Sequence, residues 1–324
     1  MSVNNFAAID LGSNNCRLLI AVPRNNTFHV IDSFSQIVRL GEGLKKGFNL
    51  NDNAIARTIE ALKICKNKIK AKNVIETRAV ATEACRLACN TQNFFQKVLN
   101  ETGIKLEIIS PEQEAQLTLD GCAPLIDKNL SQTIVFDIGG GSTEIILAKK
   151  TNTEEASVLA MLSLPIGVVT LSEQYANYFF EVGLYEKIIA QVDQKLEPFD
   201  LKYGISQYLN SNKMQMLGTS GTMTTLGSIY LNLPKYDRSK VDGLDLQVGE
   251  ISDISSKILG MNYAQRSKNP CIGEERAGLV VMGCAILEAI CRRWPMPAIR
   301  IADRGIREGL LKELTKNINF KKTT

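Results

Sequence analysis

Ile9-Asp10-Leu11-Gly12-Ser13-Asn14-Asn15-Cys16-Arg17-Leu18-Leu19-Ile20-Ala21 aligns residue for residue with Phe136-Asp137-Ile138-Gly139-Gly140-Gly141-Ser142-Thr143-Glu144-Ile145-Ile146-Leu147-Ala148. Both segments run apolar strand, Asp-x-Gly, small polar turn, apolar strand, the pattern of a β-hairpin. The second copy follows a cluster of Pro, Asp, Lys, Asn and Ser at residues 124–132, which marks a boundary between lobes. The repeat predicts two lobes of one topology, residues 1–125 and 126–324, each opening on the same hairpin. Two such turns facing each other across a cleft would form a clamp.

The flanking sequence extends this reading. Residues 28–40 alternate apolar and polar, a third strand. Ile55, Ile59, Leu62 and Ile69 lie on one helical stripe of residues 52–70, with Asn51 or Asp52 as cap. Residues 74–81 and 104–109 read as strands, and Thr82-Glu83 opens a short helix carrying Arg86. Ser110-Pro111-Glu112-Gln113 reads as N-cap, first-turn proline and capping-box partner, with Glu114 next in that turn. Later strands fall at 133–137, 143–148, 214–217 and 298–302. Helices are expected at 183–197, 220–231, 249–260 and 273–292, with a last one after Asp303 that packs back on the first lobe. Alternating strands and helices make the class α/β.

Composition narrows the function. The chain has 324 residues, 44% hydrophobic and 22% charged, ordinary values for a globular protein. Lys+Arg 38 against Asp+Glu 34 gives a net charge of +4 without a basic run, which argues against nucleic-acid binding. His29 is the single histidine. It rules out zinc sites needing two histidines and His-Asp metal domains, and it sits in an alternating strand segment rather than a triad context. Eight cysteines form no C-x-x-C pair and read as reduced, buried thiols; Cys85 and Cys89 read as packing on one short helix. Asp10 interrupts the first apolar stretch, so no signal peptide is expected, and the apolar run at 278–287 is too short to span a bilayer. A cytoplasmic protein with no membrane partner is the expectation.

The repeated turns suit phosphate. Glycines let several backbone N–H groups converge on one anion. Ser13, Asn14 and Ser142 add neutral donors. Asp10 and Asp137, at the ends of the strands entering the turns, would repel phosphate unless a divalent cation such as Mg²⁺ stood between them. Either turn alone also reads as a simple tight hairpin. A third glycine-rich piece, Gly218-Thr219-Ser220-Gly221, follows an apolar strand and opens a helix, whose N-terminus favours anions.

Four motifs taken together carry a resemblance: Asp10-Leu11-Gly12-Ser13-Asn14, Asp137-Ile138-Gly139-Gly140-Gly141-Ser142-Thr143-Glu144, Gly218-Thr219-Ser220-Gly221 and Asp303-Arg304-Gly305-Ile306-Arg307-Glu308-Gly309. In this order the chain resembles the exopolyphosphatase and guanosine pentaphosphate phosphohydrolase family, within the superfamily of actin, hexokinase and the large heat-shock chaperones. The resemblance implies two actin/ribonuclease-H-like lobes of duplicated topology. It implies release of terminal orthophosphate from inorganic polyphosphate, or from the 5′ end of guanosine pentaphosphate. It carries the water-activating role to Glu114, phosphate binding to Arg86, metal binding and catalysis to Asp137 and Glu144, and Mg²⁺ as cofactor. The glycines at 12, 139, 140, 141, 218 and 221, with Ser13, Asn14, Ser142, Thr219 and Ser220, form the expected phosphate-binding set, and Asp10 the further metal ligand. Extra C-terminal domains of longer relatives are not expected here, and a homodimer is implied by size and family. Other readings are a kinase of the same superfamily, for which no sugar-binding segment is evident, and a sensor of guanosine tetra- or pentaphosphate, against which Glu114, Arg86, Asp137 and Glu144 argue.

Overall fold

The computed structural model describes residues 4–24, 27–44, 48–127, 129–150, 156–175, 182–209 and 214–321. The chain forms two compact units, residues 1–121 with 305–324, and residues 122–304. The first crossing between the units falls at residues 121/122, and the C-terminal segment is counted with the first unit.

The first unit holds five strands, β1 (Asn5–Leu11), β2 (Asn15–Arg24), β3 (Thr27–Ile37), β4 (Val74–Ala81) and β5 (Leu106–Ile108), in the order β3-β2-β1-β4-β5. β1 to β3 are antiparallel neighbours, and β4 and β5 continue in parallel. Phe6, Ala7, Ala8 and Ile9 are all buried, so β1 is apolar on both faces, as a strand covered by helices on each side must be. One face packs on α1 (Asp52–Ala71), α2 (Glu83–Leu87) and α3 (Thr91–Thr102) through Ile55, Ile59, Leu62, Cys85, Phe94 and Val98. The other packs on α4 (Pro111–Cys122) and the C-terminal helix through Leu117, Ile306, Leu310, Leu311 and Leu314.

The second unit repeats the plan. β6 (Gln132–Ile138), β7 (Thr143–Lys150) and β8 (Ala156–Leu164) are antiparallel neighbours. β9 (Met214–Thr219) pairs in parallel with β6 on its other side, and β11 (Ala298–Ala302) in parallel with β9. The edge strand β10 (Asp245–Gln247) completes the order β10-β11-β9-β6-β7-β8. Helices α5 (Val168–Gln174), α6 (Val182–Tyr203), α7 (Ile205–Tyr208), α8 (Gly221–Tyr230), α9 (Arg238–Val241), α10 (Val248–Gly260), α11 (Tyr263–Lys268) and α12 (Val280–Arg293) surround this sheet, and α13 (Ile306–Lys321) ends the chain in the first unit.

The duplication reaches fine detail. Gly12 N donates to Asn15 O at 2.9 Å, and Gly139 N donates to Ser142 O at 2.9 Å. The pairing register slips between Ile20 and Ala21 in β2–β3 and between Leu147 and Ala148 in β7–β8. These are corresponding positions of the repeat, and a bulge there bends each third strand alike.

Two local expectations are corrected. The helix expected at 273–292 begins at Val280, because residues 270–279 form turns around Gly273, whose φ is +73°. Cys85 is buried, but α2 stops at Leu87 and Cys89 is exposed, so the two do not pack together on one helix. No disulfide joins cysteines among the described residues. Trp294 is fully buried, its Nε1 donating to Asp200 Oδ1 at 3.0 Å. His29 is an exposed residue of β3.

Candidate phosphate-binding and catalytic residues

In the first unit the turn from β1 to β2 is held by its carbonyls. Asn14 O accepts from Val38 N at 2.8 Å and Arg39 N at 3.0 Å, and Ser13 O accepts from Gly41 N at 2.8 Å. The amides of Ser13 and Asn14 have no acceptor among the described residues. Ser13 and Asn14 are 8% and 7% exposed, and Asn14 Oδ1 is a buried polar atom without a partner among the described residues. Buried polar groups are nearly always satisfied by protein, ordered water or ligand.

Asp10 stands opposite Arg17 across the hairpin. Burial raises its pKa against the charges of Arg17 and Arg307, and Glu308 raises it further. Arg307 of the C-terminal helix thus acts electrostatically on a motif carboxylate. Glu308 is buried and accepts from Gly305 N at 2.9 Å, capping α13.

Arg86 and Glu114, to which the resemblance gave separate roles, are in direct contact. Ser110 and Gln113 form the predicted capping box, with Ser110 N donating to Gln113 Oε1 at 2.9 Å and Gln113 N to Ser110 Oγ at 3.2 Å. This starts α4 so that Glu114 in its first turn is 8% exposed and reaches Arg86. Arg86 Nη1 donates to Glu114 Oε2 at 2.7 Å and to Ile109 O at 2.9 Å. Its Nε and Nη2 donate to Glu83 Oε2 at 3.2 and 2.9 Å. Of its five N–H donors, one remains without a partner among the described residues. Burial alone would pull the guanidinium pKa down, but Glu114 and Glu83 hold it above its ordinary value. Glu83, three residues before Arg86, is a member of this cluster that the sequence reading did not include.

The turn of the second unit is built the same way with different partners. Gly139 O accepts from Val168 N at 3.0 Å, and Gly140 O accepts from Val169 N at 2.9 Å and Thr170 N at 3.3 Å. The N-terminus of α5 thus takes the carbonyls, and the amides of Gly140, Gly141 and Ser142 have no acceptor among the described residues. Cβ atoms at Gly139 and Gly167 would lie 2.9 Å from Ser142 O and 2.4 Å from Gly140 O, so this contact requires both glycines.

Asp137 pairs across the hairpin with Glu144, and Glu144 with Ser163 on β8. Glu144 is 4% exposed and accepts from Ser163 Oγ at 2.9 Å. Two carboxylates directly opposite on one face repel, and a divalent cation relieves that repulsion. Mg²⁺ characteristically takes one or two carboxylates and completes its shell with water and phosphate, so this pair suits it. No group of three or more His, Cys, Asp or Glu side chains among the described residues is arranged to hold a metal.

The third turn continues the same row, since Thr219 is the register partner of Asp137 on β9. Gly218 is a strand residue; a Cβ there would lie 2.5 Å from the Phe136 ring and 2.7 Å from Met223, so packing alone requires a glycine. Thr219 Oγ1 donates to Arg304 O at 2.7 Å. Ser220 caps α8, accepting from Thr222 N at 3.2 Å, with φ +119° and ψ 170°, a region that is nearly glycine's alone. Arg276, which the sequence gave no role, reaches the same helix start: Nη1 donates to Thr225 Oγ1 at 2.9 Å, and its guanidinium lies 3.7 Å from where a Gly221 Cβ would be.

Known proteins share this chain's pattern. The Ppx/GppA phosphatase family matches residues 19–318. A bifunctional 3-dehydroquinate synthase/phosphatase of Fusobacterium nucleatum is 32% identical over 97% of this chain, which spans only 47% of that protein's length. Exopolyphosphatase 2 of Mycobacterium tuberculosis is 27% identical over 97% of this chain and 99% of its own. Among solved structures, a Ppx/GppA family member from Aquifex aeolicus is 30% identical, covers 98% of this chain and 99% of its own, and has a TM-score of 0.77. An exopolyphosphatase from Cytophaga hutchinsonii, 24% identical, shares the fold at a TM-score of 0.86 over 97% of this chain and 98% of its own. The shared architecture is the actin-like α/β fold, two mixed sheets with flanking helices. With residues 19–318 matched by its model, the chain belongs to the Ppx/GppA phosphatase family.

Proposed function

We propose that the protein hydrolyses the terminal phosphoanhydride of inorganic polyphosphate and releases orthophosphate. The observation that carries the reading is the matched construction of the two turns. In both, the carbonyls are consumed by neighbouring backbone while the amides of Ser13 and Asn14, and of Gly140, Gly141 and Ser142, are left without acceptors among the described residues. Phosphate oxygens are acceptors of the right kind, and a polymer of phosphates supplies several. A relative whose full length this chain covers is named an exopolyphosphatase, which supports the choice of substrate.

Phosphoryl transfer asks the protein for positioning and charge stabilisation more than for covalent chemistry. The turn amides cradle phosphate oxygens, with Ser13, Asn14 and Ser142 adding side-chain donors. Arg276 adds a cation beside the start of α8, where the amides of the Ser220-Gly221 turn also face anions well. Asp137 and Glu144 would hold Mg²⁺, which when bound neutralises phosphoryl charge and polarises the phosphate oxygens. Glu114 accepts from Arg86 Nη1 at 2.7 Å, and its carboxylate is the group that would orient the attacking water.

Phosphate release with Mg²⁺ from long-chain polyphosphate, guanosine pentaphosphate and ATP, at equal terminal-phosphate concentration, tests the reading. Polyphosphate is expected to be the preferred substrate. Glu114→Gln keeps the shape and an acceptor for Arg86, and its turnover is expected to fall by about 10²–10⁴-fold, the usual weight of a positioned base. A guanosine pentaphosphate preference would reassign the substrate, and near-normal turnover of the variant would remove Glu114 from the chemistry.

A further inference from the structure

β11 leaves the second sheet through Asp303 and Arg304, beside the end of β9, where Ala302 is the register partner of Thr219. Asp242 meets this exit from α9. Its Oδ1 accepts from Asp303 N at 3.1 Å and its Oδ2 accepts from Arg304 Nε at 2.8 Å. The Asp242 side chain is 11% exposed. Gly243 follows with φ +88°, a turn that lets its N–H donate to Ile301 O at 2.8 Å. From the other side the Tyr236 hydroxyl donates to Asp303 Oδ2 and Arg238 Nη2 donates to Asp303 O at 2.5 Å. Burial and the Asp303 carboxylate push the Tyr236 pKa well up, so that this hydroxyl keeps its proton.

The Asp303–Arg304 link is thus gripped on both sides, and what it presents is a carbonyl. Arg304 O accepts from Thr219 Oγ1 at 2.7 Å. Thr219 is directly followed by Ser220, whose φ of +119° an L-residue holds only where its surroundings insist.

We propose that Asp242 is a positioning residue for the phosphate-binding turn at 219–221: through Arg304 it aims the carbonyl that fixes the Thr219 hydroxyl and so holds Ser220 in its glycine-like conformation. The proposal rests on the reading that this turn serves phosphate. A carboxylate is needed because both contacts come from donors. Asparagine has the same shape but would turn an N–H₂ toward one of them.

Four variants test it: Asp242→Asn, Thr219→Val, Thr219→Ser and, as control, Asp245→Asn, which loses only the Arg300 ion pair on the neighbouring strands. Phosphate release from polyphosphate gives kcat and KM, and hydrogen exchange of the peptide spanning 219–222 reports the turn without turnover. Small misplacements of binding groups cost up to about 100-fold. Asp242→Asn and Thr219→Val are each expected to lose roughly 10- to 100-fold in kcat/KM on that scale, and to speed exchange in the peptide. Their double variant should be no worse than the worse single, Thr219→Ser, which keeps the hydroxyl, should exchange as slowly as the wild type at 219–222, and Asp245→Asn should change neither readout. Additive losses, or unchanged exchange at 219–222 in Asp242→Asn, would overturn the positioning role. A wild-type protein that releases no phosphate while exchange still responds as expected would sink the proposed function and leave the role of Asp242 standing.

Discussion

Ser220 offers a test in which two small substitutions should move stability in opposite directions. Its φ of +119° and ψ of 170° place it where side chains are strained by about 1–3 kcal/mol. Ser220→Gly removes that strain. It also loses the cap to Thr222 N, which costs a few tenths of a kcal/mol when glycine replaces serine. The unfolded chain gains freedom worth about 0.4–1 kcal/mol. The balance is a net stabilisation of roughly 1 kcal/mol, or about 1.5 °C in Tm for a protein of this size. Ser220→Ala keeps the strain and loses the cap, at a cost of about 1 kcal/mol. Thermal melts of both variants, run beside the wild type without ligand, should therefore separate by several degrees with glycine above alanine. Both lack the hydroxyl, so a phosphate-release assay on the pair isolates what rigidity of the turn adds. If the two variants melt together, or glycine melts below alanine, the strain at this residue is not real and the argument that function holds it there collapses.

Gly218→Ala should destabilise by about 1–3 kcal/mol, because the added Cβ meets Phe136 at 2.5 Å and Met223 at 2.7 Å in a fully buried layer. Gly12→Ala should be tolerated far better, its nearest neighbour being Asn15 O at 3.7 Å; equal urea midpoints for the two variants would contradict the packing reading. Asp10→Asn should stabilise the fold at neutral pH. Burial raises the Asp10 pKa above its ordinary 3.8, so the native state binds the proton more tightly than the unfolded chain does. Its carboxylate therefore costs stability that appears as pH rises from the ordinary value through the folded one, and the advantage of asparagine should vanish below about pH 3.8. An advantage that is absent at neutral pH, or equal in acid, would show that Arg17 and Arg307 outweigh the burial.

The parts of the molecule legible in sequence are those whose cause is local. The two hairpins announce themselves through alternation and Asp-x-Gly turns, and the Ser110–Gln113 capping box is a four-residue pattern that the structure reproduces bond for bond. The Arg86–Glu114 pair spans 28 positions; the family motif singled out each residue but not their contact. Nothing local distinguishes Gly218, whose glycine is demanded by Phe136 from another strand, from the glycines of a phosphate loop. Asp242 was equally hidden: it ends a four-residue helix in a polar stretch, and its partners lie 61 and 62 residues away. The helix expected from residue 273 failed for a different reason. Its apolar pattern continues upstream of Val280, but Gly273 with φ +73° turns the backbone there, and tertiary context overrides periodicity.

The duplication also explains why the two strand-end aspartates should not share one role. Position for position, Arg17 in the first repeat corresponds to Glu144 in the second. Across its hairpin Asp10 faces a guanidinium, whereas Asp137 faces a second carboxylate. Arg17 and Arg307 thus lower the cost of the Asp10 charge, while opposed carboxylates in the second unit are an arrangement that a divalent cation would relieve. The metal requirement should then follow the second repeat. In phosphate-release assays titrated with Mg²⁺, Asp137→Asn and Glu144→Gln should each raise the Mg²⁺ concentration for half-maximal rate by about 10–100-fold, the scale of a perturbed metal site. Asp10→Asn should lower the rate without moving that concentration. Should Asp10→Asn move it as far as Asp137→Asn does, the cation is held by both repeats and the charge argument drawn from Arg17 is wrong.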